Sequence, residues 1–159
     1  MATYGCGFGM RVAITDDHGI VRDGMRWMLE EESDIEIVAE ADSGPALLAI
    51  LETEPVDVVL LDVRMPDMSG LEVLETIRSE YPQVRVIMLT MHDQSAYVRR
   101  AMELGAAGYV LKSAGRDELV RALGVVAAGD TYLHGGVVEG LVHTKEAAPR
   151  NFHLSPREK

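Results

Sequence analysis

One cysteine, Cys6, in 159 residues leaves no internal disulfide available. No apolar run approaches the roughly 20 residues needed to span a bilayer. The opening stretch MATYGCGFGM lacks the basic start and long apolar core of a secretory leader. These absences place the protein in the cytoplasm, with no membrane partner. Basic residues are also short, 15 against 26 acidic, for a formal net charge of −11. A surface of that sign argues against the segment gripping nucleic acid by itself, because phosphate contacts need cations. No cysteine or second histidine stands at zinc spacing, so His18 and His92 read as loop residues rather than ligands. The glycines at 5, 7 and 9 precede the first strand instead of following it, which excludes a dinucleotide fingerprint. There is no internal repeat and no low-complexity tract.

What remains is ample apolar material, 47% of the chain against 26% charged, enough for one core plus a tail. Short apolar runs alternate with stretches at helical spacing. Residues 11–16 read as a strand, followed by a helix over 21–32 with Val21, Met25, Met28 and Leu29 on one face. Residues 35–41 alternate, as in a strand nearer an edge. Residues 44–54 return to helical spacing and stop before Pro55. Residues 56–61 are almost continuously apolar, as in a parallel strand covered on both faces. A helix at 71–80, a strand at 84–90, a helix at 95–104 stopped by Gly105, a strand at 109–111 and a helix at 116–128 ending at Gly129 complete the pattern. About five βα units in series predict a parallel sheet with right-handed crossovers and helices on both faces. Residues 130–142 have the pattern of a short strand or helix, and 143–153 that of a polar linker. At the end, Ser155, Pro156 and Glu158 carry the signature of a helix N-terminus.

In such sheets the chemistry lies beyond the carboxyl ends of the strands. Asp16 and Asp17, Asp62, Thr90 and Lys112 all fall at those ends. Three carboxylates gathered there repel one another unless a cation lies between them. Oxygen ligands at a wet edge suit Mg2+. Lys112 can hold a phosphate oxygen and Thr90 can donate to another. Asp62, standing alone opposite the acidic pair, is the best nucleophile for forming an acyl phosphate.

Asp16-Asp17, LLDVRMPDMSG (60–70), LTMHD (89–93) and GAAGYVLK (105–112), in that order, resemble the receiver domains of two-component response regulators, and in particular the NarL/LuxR (NarL/FixJ) type of transcriptional regulator. The likeness runs over residues 10–142, and LSPREK (154–159) resembles the opening of that type's helix-turn-helix domain. It implies a flavodoxin-like (βα)5 fold with a five-stranded parallel sheet. Residues 1–9 would then be an extension, 10–129 the receiver, 130–153 a C-terminal extension and linker, and 154–159 the start of a DNA-binding domain that this chain otherwise lacks. The resemblance assigns the phosphorylated aspartate to Asp62. It assigns Mg2+ to Asp17, Asp62 and the backbone carbonyl of Arg64, with Asp16 acting through water. Lys112 is the phosphate-binding lysine, Thr90 the switch hydroxyl and Tyr109 the switch aromatic, while Pro66 and Gly70 belong to the loop after the site. Partners follow likewise: a sensor histidine kinase, a second copy when phosphorylated, and DNA only through the further domain. Ser113 stands where many receivers carry a cis proline.

Two rivals are weaker. An aspartate-nucleophile phosphatase of the haloacid dehalogenase kind needs a second acid two residues after the nucleophile, and Arg64 is there instead. An atypical receiver acting as a phosphorylation-independent binding module would not need the full acid, hydroxyl and lysine set.

Overall fold

The computed structural model describes residues 9–65, 68–90, 95–133 and 152–154. In chain order the elements are β1 (Met10–Thr15), α1 (Gly19–Glu30), β2 (Ile35–Ala41), α2 (Gly44–Thr53), β3 (Val58–Asp62), α3 (Gly70–Glu80), β4 (Arg85–Thr90), α4 (Ser95–Glu103), β5 (Gly108–Leu111), α5 (Arg116–Ala127), β6 (Thr131–Leu133) and β7 (Phe152–Leu154). Each element expected between residues 11 and 128 is present with its ends within two residues of the expected ones, and the helix start expected at Ser155–Glu158 lies outside the described residues. The sheet is wholly parallel, in the order β2-β1-β3-β4-β5-β6-β7.

Seven strands replace the expected five. β6 falls within residues 130–142, where a short strand or helix is expected, whereas β7 begins in the stretch that reads as linker, and three residues are too few for a periodic signal to stand out. β6 is joined to the sheet by main-chain pairing to β5, Gly108 opposite Tyr132 and Tyr109 opposite Leu133. It is also held from α5, since the Tyr132 hydroxyl donates to the buried carboxylate of Glu118. Tyr132→Phe is expected to lower stability by roughly 1–3 kcal/mol, read by urea denaturation, because Glu118 loses a donor inside the protein.

Side chains alternate across the strands to feed two cores. From β3, Val59 and Leu61 meet Leu47 and Leu51 of α2, Val73, Leu74 and Ile77 of α3, and Val98 and Ala101 of α4. On the other face Val58 and Leu60 meet Met25 and Leu29 of α1, and Leu119, Leu123 and Val126 of α5. β3 is buried at every residue, as its unbroken apolar run requires, whereas β2 at the edge is only partly covered.

Local signals set the helix ends. Ser43 caps α2 through the Ala46 amide, with Pro45 in the first turn. Ser69 and Glu72 form a reciprocal capping box at α3. Gly105, at φ 95°, takes the left-handed stop expected after α4. Among the described residues no helix is long and apolar enough to cross a membrane.

Candidate functional site

Strand register decides where the chemistry sits. Thr15 pairs with Leu61, Asp62 with Leu89, and Thr90 with Leu111. The carboxyl ends of β1, β3, β4 and β5 are therefore level. Asp16, Asp62, Thr90 and Lys112 emerge side by side at one edge, as the strand-end rule predicts.

Asp16 is fully buried, Asp62 is 4% exposed and Thr90 1% exposed. Lys112 reaches back between the two acids, with its Nζ 3.0 Å from Asp16 Oδ2 and 3.1 Å from Asp62 Oδ2. One ammonium thus serves two carboxylates. Burial, reinforced by the nearby charge of Asp16, raises the Asp62 pKa above its ordinary value, while Lys112 and the Arg64 amide pull the other way. For Lys112, burial favours the neutral amine, yet Asp16 and Asp62 together hold its pKa above the usual lysine value. The Arg64 amide donates to Asp62 Oδ1 at 3.3 Å, and the Lys112 amide bonds the Thr90 carbonyl at 2.8 Å.

His18 is a loop residue, as expected, and it contacts the acids of the site. Its amide donates to Asp16 Oδ1 at 2.8 Å. Its Nδ1 lies 2.9 Å from the same oxygen and 3.3 Å from Asp17 Oδ1. Oxygens of Asp16, Asp17 and Asp62 and a ring nitrogen of His18 lie within 4.8 Å of one another. Arg22 was missed. One turn into α1, it donates to the Asp16 carbonyl at 2.7 Å. Its place four residues after the helix-capping His18 was the available signal.

Several buried oxygens lack a hydrogen bond among the described residues: Asp16 Oδ2 (ion-paired to Lys112, but not in hydrogen-bond geometry), Asp17 Oδ1, Thr90 Oγ1 and the Tyr109 hydroxyl. Orphaned acceptors of this kind cost free energy unless a ligand meets them. The acidic oxygens therefore fit a hard divalent cation, and the Thr90 hydroxyl is free to meet an anion. The Tyr109 ring is wholly inside the core, on the face shared with α3 and α4. Pro66 and His92 lie outside the described residues. Gly70 closes the loop after β3, and its amide donates to the Val63 carbonyl at 2.8 Å.

A family model for the response regulator receiver domain matches residues 12–124. The chain belongs to the response regulator receiver family. The transcriptional regulatory protein MctR of Rhizobium johnstonii is 39% identical over 150 residues, covering 94% of this chain and 70% of MctR. Among solved structures, the receiver of RcsB from Salmonella enterica serovar Typhimurium with phosphomimetic BeF3- is 29% identical, with a TM-score of 0.77 over 83% of this chain and 98% of that one. A structure of two RcsB dimers bound to two parallel DNAs gives a TM-score of 0.80 at 29% identity, covering 89% of this chain and 72% of that one. The receiver is thus a part of two-component signalling, in which such domains act as phosphorylation-based switches. Receiver domains interact with histidine kinases and generally bind Mg2+ in an acidic pocket, and an Asp-rich cluster is present here.

Proposed function

We propose that Asp62 accepts a phosphoryl group from a sensor histidine kinase and that the receiver works as a signalling switch rather than a metabolic enzyme. The observation that carries the reading is the reach of Lys112 to Asp62 and Asp16 at 3.1 and 3.0 Å, which sets a fixed cation where phosphoryl oxygens would arrive. An Asp62 oxygen forms the new bond to phosphorus. The bond from phosphorus to the donor atom breaks, and its electron pair leaves with the donor. Lys112 and the Thr90 hydroxyl then take phosphoryl oxygens. The mixed-anhydride product carries more negative charge than the carboxylate it replaces and stands beside Asp16 and Asp17, so positive charge must be retained throughout. Asp17, Asp62 and the Arg64 carbonyl would hold Mg2+ directly and Asp16 through water. When bound, the ion neutralises repulsion between carboxylates and phosphoryl oxygens.

Tyr109 is proposed as the aromatic that follows Thr90. Its ring is already inward, so phosphorylation would consolidate this arrangement and bias the surface built from α4 and β5. Output would be dimerisation and DNA binding, the DNA being read by a helix-turn-helix domain opening near residue 154. The dimers of the related RcsB on DNA support that reading.

The direct test is a mass gain on incubation with Mg2+ and acetyl phosphate. No gain in the wild-type protein would return the reading to a phosphorylation-independent binding module. Thr90→Ala separates switching from folding. Its hydroxyl has no partner among the described residues, so the change in unfolding free energy should stay below about 1 kcal/mol. Its response to beryllofluoride, followed by amide chemical shifts in β4 and β5, should be lost or much reduced.

A further inference from the structure

The acidic turn after β1 is held from below. The Asp16 amide donates to the Ala41 carbonyl at 3.1 Å, and the Asp16 carbonyl accepts from an Arg22 terminal nitrogen at 2.7 Å. Arg22 is braced in turn by Glu40 of β2, with Nε 3.4 Å from Oε1, and Glu40 also pairs with Arg26. The Arg22 and Glu40 side chains are 22% and 20% exposed, so the bracket is largely shielded. Asp17 Oδ1, by contrast, has no hydrogen bond among the described residues, only the solvent-facing His18 ring 3.3 Å away. What aims the Asp17 carboxylate is therefore the peptide plane joining Asp16 to Asp17, and the oxygen of that plane is the one Arg22 grips.

We infer that Arg22 is a positioning residue for the cation site, holding the peptide between Asp16 and Asp17 so that the Asp17 carboxylate faces Asp62. The inference rests on the proposed Mg2+ site. It is distinct from a charge effect, and the two differ in sign. A guanidinium close to the acids repels a second cation, so removing it for its charge alone would tighten Mg2+ binding. Removing it as a bracket loosens binding, and losses of outer partners of a metal site run to about tenfold or more. Glu40 offsets much of the Arg22 charge, which leaves geometry as the larger effect.

Magnesium titration calorimetry on metal-free wild type, Arg22→Met and Arg22→Lys, with melting curves recorded without metal, tests this. Arg22→Met should bind Mg2+ about tenfold more weakly with a melting curve close to wild type. Arg22→Lys should stay weak, because it keeps the charge but not the two-sided grip on Asp16 and Glu40. Affinity unchanged within about twofold, tighter binding, or full rescue by lysine would overturn the inference. If Arg22→Met does not fold, Glu40→Gln takes its place: weaker Mg2+ binding supports the bracket and unchanged binding overturns it. A wild-type protein that takes up no Mg2+ refutes the proposed site itself, and so is told apart from a failure of the bracket.

Discussion

Asp62→Asn is expected to abolish the acetyl phosphate mass gain and, in the same protein, to raise the melting temperature measured without metal. The first outcome follows from losing the nucleophile. The second follows from the charge count at the strand ends, where Lys112 serves both Asp16 and Asp62. Replacing one acid leaves a matched pair, Asp16 with Lys112, and removes the buried like charge. Removing the only partner of a buried ion is costly, but here the lysine keeps one. The pH dependence has a definite sign. Folding raises the Asp62 pKa, so the folded state holds its proton more tightly than the unfolded chain. Its contribution to stability is present at low pH and is lost as pH rises through the raised value. The advantage of asparagine should therefore be absent below the ordinary carboxylate value of 3.8 and grow toward neutrality. Mg2+ should narrow or reverse the order. A cation at ten times its Kd adds about 1.4 kcal/mol to the protein that binds it, and asparagine deprives the site of one ligand. A melting temperature below wild type at neutral pH without metal would contradict this account.

Gly70→Ala is expected to be among the most damaging single-methyl changes in the molecule. A Cβ at this position would lie 2.2 Å from the backbone carbonyl oxygen of Asp62 itself, 2.9 Å from Val63 Cα and 3.0 Å from the Val63 carbonyl oxygen. All three neighbours are backbone, so no side chain can swing aside. Either α3 backs away from β3 or the end of β3 moves. The first breaks the capping box at Ser69 and Glu72 and opens the apolar contact of Val73 and Leu74. The second displaces the aspartate. A loss of at least about 3 kcal/mol is expected in chemical denaturation, at the upper end of overpacking costs. Whatever protein remains folded should phosphorylate more slowly. A stability within about 1 kcal/mol of wild type would show that the loop has more room than this contact allows.

The order of the strands and helices was legible because a buried parallel sheet writes long apolar runs, as at residues 56–61, and helices write a different period. The strand-end rule then located Asp16, Asp62, Thr90 and Lys112 before any geometry was known. Three things escaped. β7 is too short for periodicity, and the short element readable at 130–142 becomes a sixth strand only through main-chain pairing to β5, together with the reach of Tyr132 to Glu118. His18 flanks the acidic pair in the sequence, but the turn of its amide and ring back onto Asp16 is visible only in the fold. Arg22 looks like any solvated helix cation until the fold sets the Asp16 carbonyl and Glu40 within its reach.

The central place of β1 has a kinetic consequence. This strand, formed by residues 10–15, lies between β2 and β3, and its partner on the β3 side is residues 58–62. A chain growing from its N-terminus can pair β1 with β2 early. The other edge of β1 must wait until residue 62 has emerged. The pairing that joins β1 to β3 is thus the same event that first brings Asp62 to Asp16. Lys112 arrives fifty residues later still. Until then Asp16 and Asp62 are without the lysine they share in the complete fold. Long-range pairings of this kind are slow. Docking of β5 is thus also the step that brings Lys112 between Asp16 and Asp62.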